Sequence, residues 1–156
     1  ISVPVILDAD GLNNISMQLD ILKERKYPAV LTPHPGEMSR LTGLKTEEIL
    51  KDRINITKDF SKEYGCITVL KGYRTVISDG ESAFLNTTGN PGMATGGTGD
   101  VLTGMILSLT GQGMGIMESC KIAVWLHGRA GDLGSWKWGE KFLTPEMLVE
   151  NIKEIP

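Results

Sequence analysis

A surplus of positive charge is the first thing missing. Sixteen lysines and arginines stand against 19 aspartates and glutamates, a net charge of -3. A domain built to grip nucleic acid shows the opposite balance, so that class of partner is excluded. Long apolar runs are missing as well: nothing approaches the roughly 20 consecutive apolar residues that span a bilayer, and the amino terminus lacks the basic-then-apolar order of a secretory signal, so no membrane is expected. Cysteine is scarce. Cys66 and Cys120 sit in the apolar contexts GCITVL and ESCKIAV, without CxxC spacing or a neighbouring histidine. They read as buried thiols of a reducing compartment, which points to the cytoplasm and excludes a disulfide framework. Two common nucleotide loops are also absent, since no GK[ST] follows a glycine-rich run and no GxGxxG occurs.

What is present is one domain's worth of chain: 156 residues, 40% hydrophobic and 22% charged, enough to bury a single core. Val3 to Leu7 predict a strand buried on both faces. SMQLDILKER, residues 16 to 25, reads as a helix, and Tyr27 to Thr32 as a second strand. A Pro-rich turn, TPHPGE, then leads into a short helix closed by Gly43. From an N-cap at Thr46 one helix is expected through the segment ending at Gly65, followed by the strand CITVLKG and a hairpin at Asp79-Gly80. Val101, Leu102, Met105, Ile106 and Leu109 line one side of a further helix whose other side is small (Thr103, Gly104, Ser108), predicting packing on both sides. Beyond the break at Gly111, Gly113 and Gly115, a helix carries Ile116, Cys120, Val124 and His127 on one stripe. Thr144-Pro145 caps a terminal helix. Strands alternating with helices mean a layered α/β fold with a mainly parallel sheet.

The chemistry concentrates in NPGMATGGTGDVLTGMILSL, residues 90 to 109. A helix start leaves backbone N–H groups unpartnered and carries partial positive charge, so it suits an anion once side chains stop blocking it. Gly96, Gly97 and Gly99 remove those side chains and tolerate the φ angles at which successive N–H groups converge. Asp100 beside them is then positioned to take the proton of a hydroxyl attacking a bound phosphoryl group. Tight packing around glycines with an aspartate cap is the bland alternative, and spacing alone leaves both open. His127, on an apolar stripe, reads as a core histidine satisfied by hydrogen bonds, and Asp132 as a hydrogen-bonding residue at a helix end. Asp8 and Asp10 lie at a strand's carboxyl end, where α/β sheets place ligands, and Asp10 and Asn13 are candidates to line a site there.

GTGD before a small-residue helix resembles the anion-hole and aspartate signature of the ribokinase-like superfamily. NPGMATGGTGDVLTGMI, together with LDADGLN, LTPHPGEMSRL, VLKGYRTVI and LHGRAGD in that order, closely resembles the ADP- or ATP-dependent NAD(P)H-hydrate dehydratases of that superfamily. The likeness runs from residue 7 to about residue 132, and the terminal LTPEMLVENI is also similar. It implies a three-layer α/β/α fold and a single, partial domain over residues 1–156. It implies ADP or ATP with Mg²⁺ as cofactors and hydrated NADH or NADPH as the small-molecule substrate. Asp100 matches the catalytic aspartate, which also touches substrate. Lys71, Gly72, Tyr73, Arg74 and Thr75, with Gly96, Gly97 and Gly99, match the nucleotide-binding positions. His34 stands where vitamin-kinase relatives tend to carry asparagine and is implied to contact the hydrated cofactor, with Glu37 an indirect magnesium group. The family's strands and helices before LDADGLN have no counterpart here, so a carboxyl-terminal piece with an open sheet edge is expected, with the missing amino-terminal segment as a possible partner. Self-association is expected from the family's habit. A small-molecule kinase of the same superfamily and a non-catalytic nucleotide-binding or assembly module are the alternatives.

Overall fold

A computed structural model describes residues 3–155; Ile1, the suspected boundary, lies outside them. The chain divides into two compact units, one up to Leu85 and one from Asn86 onward.

The first unit is built on a five-stranded sheet in sequence order: β1 (Val5–Leu7), β2 (Ala29–Leu31), β3 (Ile67–Leu70), β4 (Val76–Ser78) and β5 (Ala83–Leu85). β1, β2 and β3 run parallel, with Leu7 opposite Leu31 and Leu31 opposite Thr68. The turn at residues 71–75 folds β4 back antiparallel to β3 and the Asp79-Gly80 turn folds β5 back on β4, so the sheet is mixed, with its parallel part in the first three strands. Helices α1 (Asp10–Ile15), α2 (Pro35–Thr42), α3 (Thr46–Lys51) and α4 (Arg53–Tyr64) connect these strands. β2, β3 and β4 are buried throughout, and Leu12, Leu31, Met38, Ile49, Phe60 and Leu70 form the core.

Three expectations for this unit change. β1 is half-buried rather than buried, because among the described residues it has a strand on one side only. The helix expected over residues 16–25 is absent; α1 lies earlier, and Leu19–Leu22 form a 3₁₀ turn. Leu19 and Leu22 are three apart, a spacing that the three-residue period of a 3₁₀ turn aligns as well as an α-helix does. The helix expected from Thr46 breaks at Asp52, whose φ of -139° leaves the helical region. Asp52 ends α3 and opens α4, and its carboxylate accepts from Asn55 Nδ2 at 3.0 and 3.1 Å, the competition with helical backbone that aspartate readily offers.

The second unit is helical: α5 (Thr98–Gly111), α6 (Ile116–Trp138) and α7 (Pro145–Ile152), with 3₁₀ turns at Pro91–Met93 and Glu140–Phe142. Leu102, Ile106, Cys120, Val124, Leu143 and Leu148 are buried in it. α7 begins as expected, with Thr144 Oγ1 accepting from Met147 N–H and Pro145 in the first turn. α5 is packed on one side only, since Gly104 and Ser108 are exposed. α6 runs on to Trp138, so Asp132 is interior to a helix and not at its end. The glycines of α6 admit close neighbours. A β-carbon on Gly128 would come within 2.1 Å of Thr88 Oγ1, so glycine is required where Thr88 seats and donates to the Trp125 carbonyl at 3.0 Å. Among the described residues no helix is long and apolar enough to cross a membrane.

Candidate functional site

Because β1, β2 and β3 are parallel, their carboxyl ends share one edge of the sheet, the edge at which such sheets hold ligands. Asp8 follows β1, His34 and Glu37 follow β2, and Lys71 follows β3. Lys71 Nζ lies 2.7 Å from Asp8 Oδ1 and 3.8 Å from Glu37 Oε2, and Lys71 N–H donates to the Pro33 carbonyl at 2.8 Å. The same Asp8 oxygen accepts from Ala9 N–H at 2.9 Å. Ala9 has φ 47°, a left-handed conformation that costs a non-glycine residue roughly 1–3 kcal/mol and persists only where its surroundings enforce it.

His34 caps α2. Its Nδ1 accepts from the N–H groups of Gly36 (3.0 Å) and Glu37 (3.2 Å), while Glu37 Oε2 accepts from His34 N–H at 2.7 Å. A nitrogen that accepts two amides carries no proton, so the neutral ring is held with its hydrogen on Nε2. That nitrogen lies 3.6 Å from Glu37 Oε2, on a side chain that is 53% exposed. Asparagine would cap equally well through Oδ1. The difference between histidine and asparagine here therefore lies in the far nitrogen and what it presents outward.

The Lys71 to Thr75 turn is braced from beneath by Arg53, a residue the sequence reading passed over. Arg53 Nη2 donates to the Leu70 carbonyl at 2.9 Å and the Lys71 carbonyl at 3.2 Å. Burial lowers the pKa of its guanidinium from the ordinary value, and its Nε has no partner among the described residues. Gly72 (φ 125°) and Arg74 (φ 53°) make the turn, Thr75 Oγ1 closes it onto the Gly72 carbonyl at 3.0 Å, and Tyr73 stands exposed with the Arg74 guanidinium 5.4 Å from its ring. A groove of ≈270 Å³ runs beside it, lined among others by Leu50, Arg53, Ile54, Tyr73 and Arg74. Asp10 and Asn13 stand apart from the ion pair: Asn13 donates to Asp10 Oδ1 at 3.4 Å and accepts from Arg40 Nε at 2.9 Å.

In the second unit the glycine turn enters α5 as the sequence predicts. Gly97, at φ 92°, is the N-cap, and Pro145 Cγ lies 2.9 Å from where its β-carbon would be, so both backbone and space require glycine. Gly96 opens to free space, with no atom within 4 Å of the same construction. Gly99 is half-buried in the first turn, and Asp100 follows with its side chain exposed. Thr98, buried at 8% exposure, fixes the turn: its Oγ1 lies 2.8 Å from the carbonyls of both Met93 and Thr95. Its own carbonyl meets His127 Nε2 at 2.9 Å, and since a carbonyl only accepts, that nitrogen carries the hydrogen. His127 is thus hydrogen-bonded as expected, though half-buried and not in the core. Asp132 accepts from Gly89 N–H (3.1 Å) and Asn90 Nδ2 (3.2 Å). Among the described residues no group of three His, Cys, Asp or Glu side chains could hold a metal ion.

Comparison with known proteins identifies the family. The family model described as NAD(P)H-hydrate dehydratase matches residues 1–154. The bifunctional NAD(P)H-hydrate repair enzyme Nnr of Moorella thermoacetica is 44% identical over 152 residues, covering 96% of this chain and 28% of that protein. The ADP/ATP-dependent NAD(P)H-hydrate dehydratase of Bacillus subtilis, co-crystallised with ATP/Mg²⁺, superposes with a TM-score of 0.88 at 35% identity, over 98% of this chain and 54% of that one. A ribokinase-like superfamily protein from Enterococcus faecalis V583 gives a TM-score of 0.77 at 31% identity, over 96% and 51% of the two chains. The chain therefore spans between about a quarter and about half of these relatives' length. With a matching model over nearly its whole length and a ribokinase-like architecture, the chain belongs to the NAD(P)H-hydrate dehydratase family.

Proposed function

We propose that this chain carries the nucleotide-side machinery of a dehydratase that returns hydrated NADH or NADPH to the reduced cofactor, with ADP or ATP as phosphoryl donor. The observation that carries the reading is the open glycine turn at the start of α5, with the exposed Asp100 carboxylate in the first turn.

In the proposed reaction the C6 hydroxyl of the hydrated nicotinamide ring attacks the terminal phosphorus of the nucleotide. The phosphorus–oxygen bond to the rest of the nucleotide breaks, and Asp100 takes the hydroxyl proton. The amides of Gly96 to Gly99 steady the charge on the transferring phosphoryl group. The C6–O bond then breaks toward phosphate, helped by the ring nitrogen lone pair, and loss of the C5 proton restores the double bond. Lys71, Gly72, Tyr73, Arg74 and Thr75 are assigned to the nucleotide, and His34 to the hydrated cofactor through Nε2–H. The described residues provide no protein cage for magnesium, and Glu37 is already engaged by His34 N–H with Lys71 close by. Any magnesium is therefore held by phosphate and water, with Glu37 reaching it only through water, and no step above is routed through it. Work in a reducing cytoplasm, self-association and completion by an amino-terminal segment belong to the same proposal.

The kinase alternative stops at a stable phosphate ester, whereas the dehydratase releases inorganic phosphate and restores the absorbance of the reduced nicotinamide. Asp100→Asn separates both from a mere binding module: turnover falls by about 10²–10⁴, the range for losing a general base, while nucleotide affinity is kept. Equal turnover in the variant and wild type would remove Asp100 from the chemistry.

A further inference from the structure

Glycine-rich segments are floppy by default, so a cradle made from one must be held in shape by something else. The hydrogen bonds around residues 88–98 form a path that leaves α6 and returns to it. Asp132 Oδ2 and Oδ1 accept from Gly89 N–H and Asn90 Nδ2 at 3.1 and 3.2 Å. Asn90 Oδ1 accepts from Gly92 N–H at 3.1 Å and so caps the 3₁₀ turn that ends at Met93. The Met93 carbonyl accepts from Thr98 Oγ1 at 2.8 Å, and the Thr98 carbonyl accepts from His127 Nε2–H at 2.9 Å. The two anchors, His127 and Asp132, are five positions apart on one helix, about 7.5 Å along its axis. Between them the α6 glycines seat the same segment, Thr88 against Gly128 and Met93 Sδ against Gly131. Between Met93 and Thr98, Thr95 is tied as well, its Oγ1 donating to the Gly92 carbonyl at 3.0 Å and its carbonyl accepting from Thr98 Oγ1 at 2.8 Å, which leaves Gly96 and Gly97 as the bridge.

We infer that α6 is the template on which the glycine turn is pre-formed, with Asp132 and His127 as positioning residues for the phosphoryl cradle. The inference rests on the reading of that turn given above. Neither side chain touches a reacting atom. Each fixes backbone whose amides must already point at the phosphoryl group when it arrives, because reorganising them during the reaction would consume the stabilisation they provide.

The test pairs a structural readout with a kinetic one on the full chain. Amide hydrogen exchange is followed across residues 94–100, and kcat and the KM for nucleotide and for hydrated cofactor are measured, in Asp132→Ala, Asp132→Asn, His127→Leu and His127→Gln. Asp132→Ala and His127→Leu are expected to speed exchange at Gly96 to Asp100 about tenfold, by raising local opening there and not throughout the helices. They are expected to lower kcat by about 10–100-fold, the scale of a misplacement near 1 Å, with the KM for hydrated cofactor little changed. Glutamine at 127 restores the N–H donor to the Thr98 carbonyl and is expected to behave as wild type. If Asp132→Ala loosens α5, α6 and α7 together, Asp132→Asn, which keeps one acceptor oxygen, is read in its place. Unchanged exchange at residues 94–100, or glutamine at 127 as impaired as leucine, overturns the inference. A wild-type protein that exchanges slowly at this turn yet neither binds nucleotide nor turns over defeats the functional reading and leaves the template standing.

Discussion

Replacing Lys71 with methionine keeps most of the side chain's bulk and removes its charge. At 2.7 Å from Asp8 Oδ1 and an effective dielectric near 20, the attraction lost is about 6 kcal/mol before any change in solvation. The side chains of Asp8 and Glu37 are only 11% and 7% exposed, so removing the Lys71 ammonium takes a cation away from two carboxylates largely shielded from water. Breaking a buried pair from one side costs about 3–5 kcal/mol, and the 20% exposure of Lys71 draws the expectation to the lower end, about 3 kcal/mol. The strained backbone at Ala9, held by the same Asp8 oxygen, is released at the same time. Urea unfolding followed by circular dichroism measures the loss. A double-mutant cycle with Asp8→Asn isolates the pair, with a coupling of about 2 kcal/mol expected and the double variant more stable than Lys71→Met alone. A cost below about 1 kcal/mol, or additive single effects, would show that the 2.7 Å contact is not an operative ion pair.

Gly80→Ala is expected to cost roughly 3 kcal/mol in the same unfolding assay, because Gly80 sits at φ 94° and its β-carbon would stand 2.6 Å from the Lys62 backbone. Burial pushes the thiols of Cys66 and Cys120 up, to about 11 and about 12, so both are expected to resist alkylation in the folded protein at pH 8 and to react once it is unfolded. The sign of the pH dependence follows: above the unfolded thiol value near 9 the unfolded chain loses protons that the folded one keeps, so stability is flat below that and falls by up to about 1.4 kcal/mol per pH unit per thiol until the folded values are reached. Alanine at both positions should flatten that alkaline fall.

The elements whose determinants are local were readable from the sequence: the hairpin at Asp79-Gly80, the Thr144-Pro145 helix start, the glycine entry to α5 and the breaks before α6. Elements set by competition between local signals were not. Asp52 divides one periodic apolar pattern into two helices, and Leu19 and Leu22 satisfy a 3₁₀ turn where an α-helix was expected. The site shows the same division. The glycine turn and Asp100 are contiguous and carried their own signature. The partner of Lys71 lies 63 residues away, and Arg53 reaches its carbonyls across 17 and 18 residues. No period or spacing in one sequence encodes such pairs. His34 was readable as a residue of interest, while its role as the cap that fixes its own tautomer needed coordinates.

The contact between Gly97 and Pro145 gives the terminal helix a mechanical part. With the proline ring occupying the space of a missing side chain, the glycine turn rests against a stop that Leu148 and Asn151 bolt into the interior, Asn151 gripping the Ala130 carbonyl at 3.1 Å. Whatever loads the turn from its open side is braced by α7, so Pro145–Ile152 carry thrust as well as burying apolar surface.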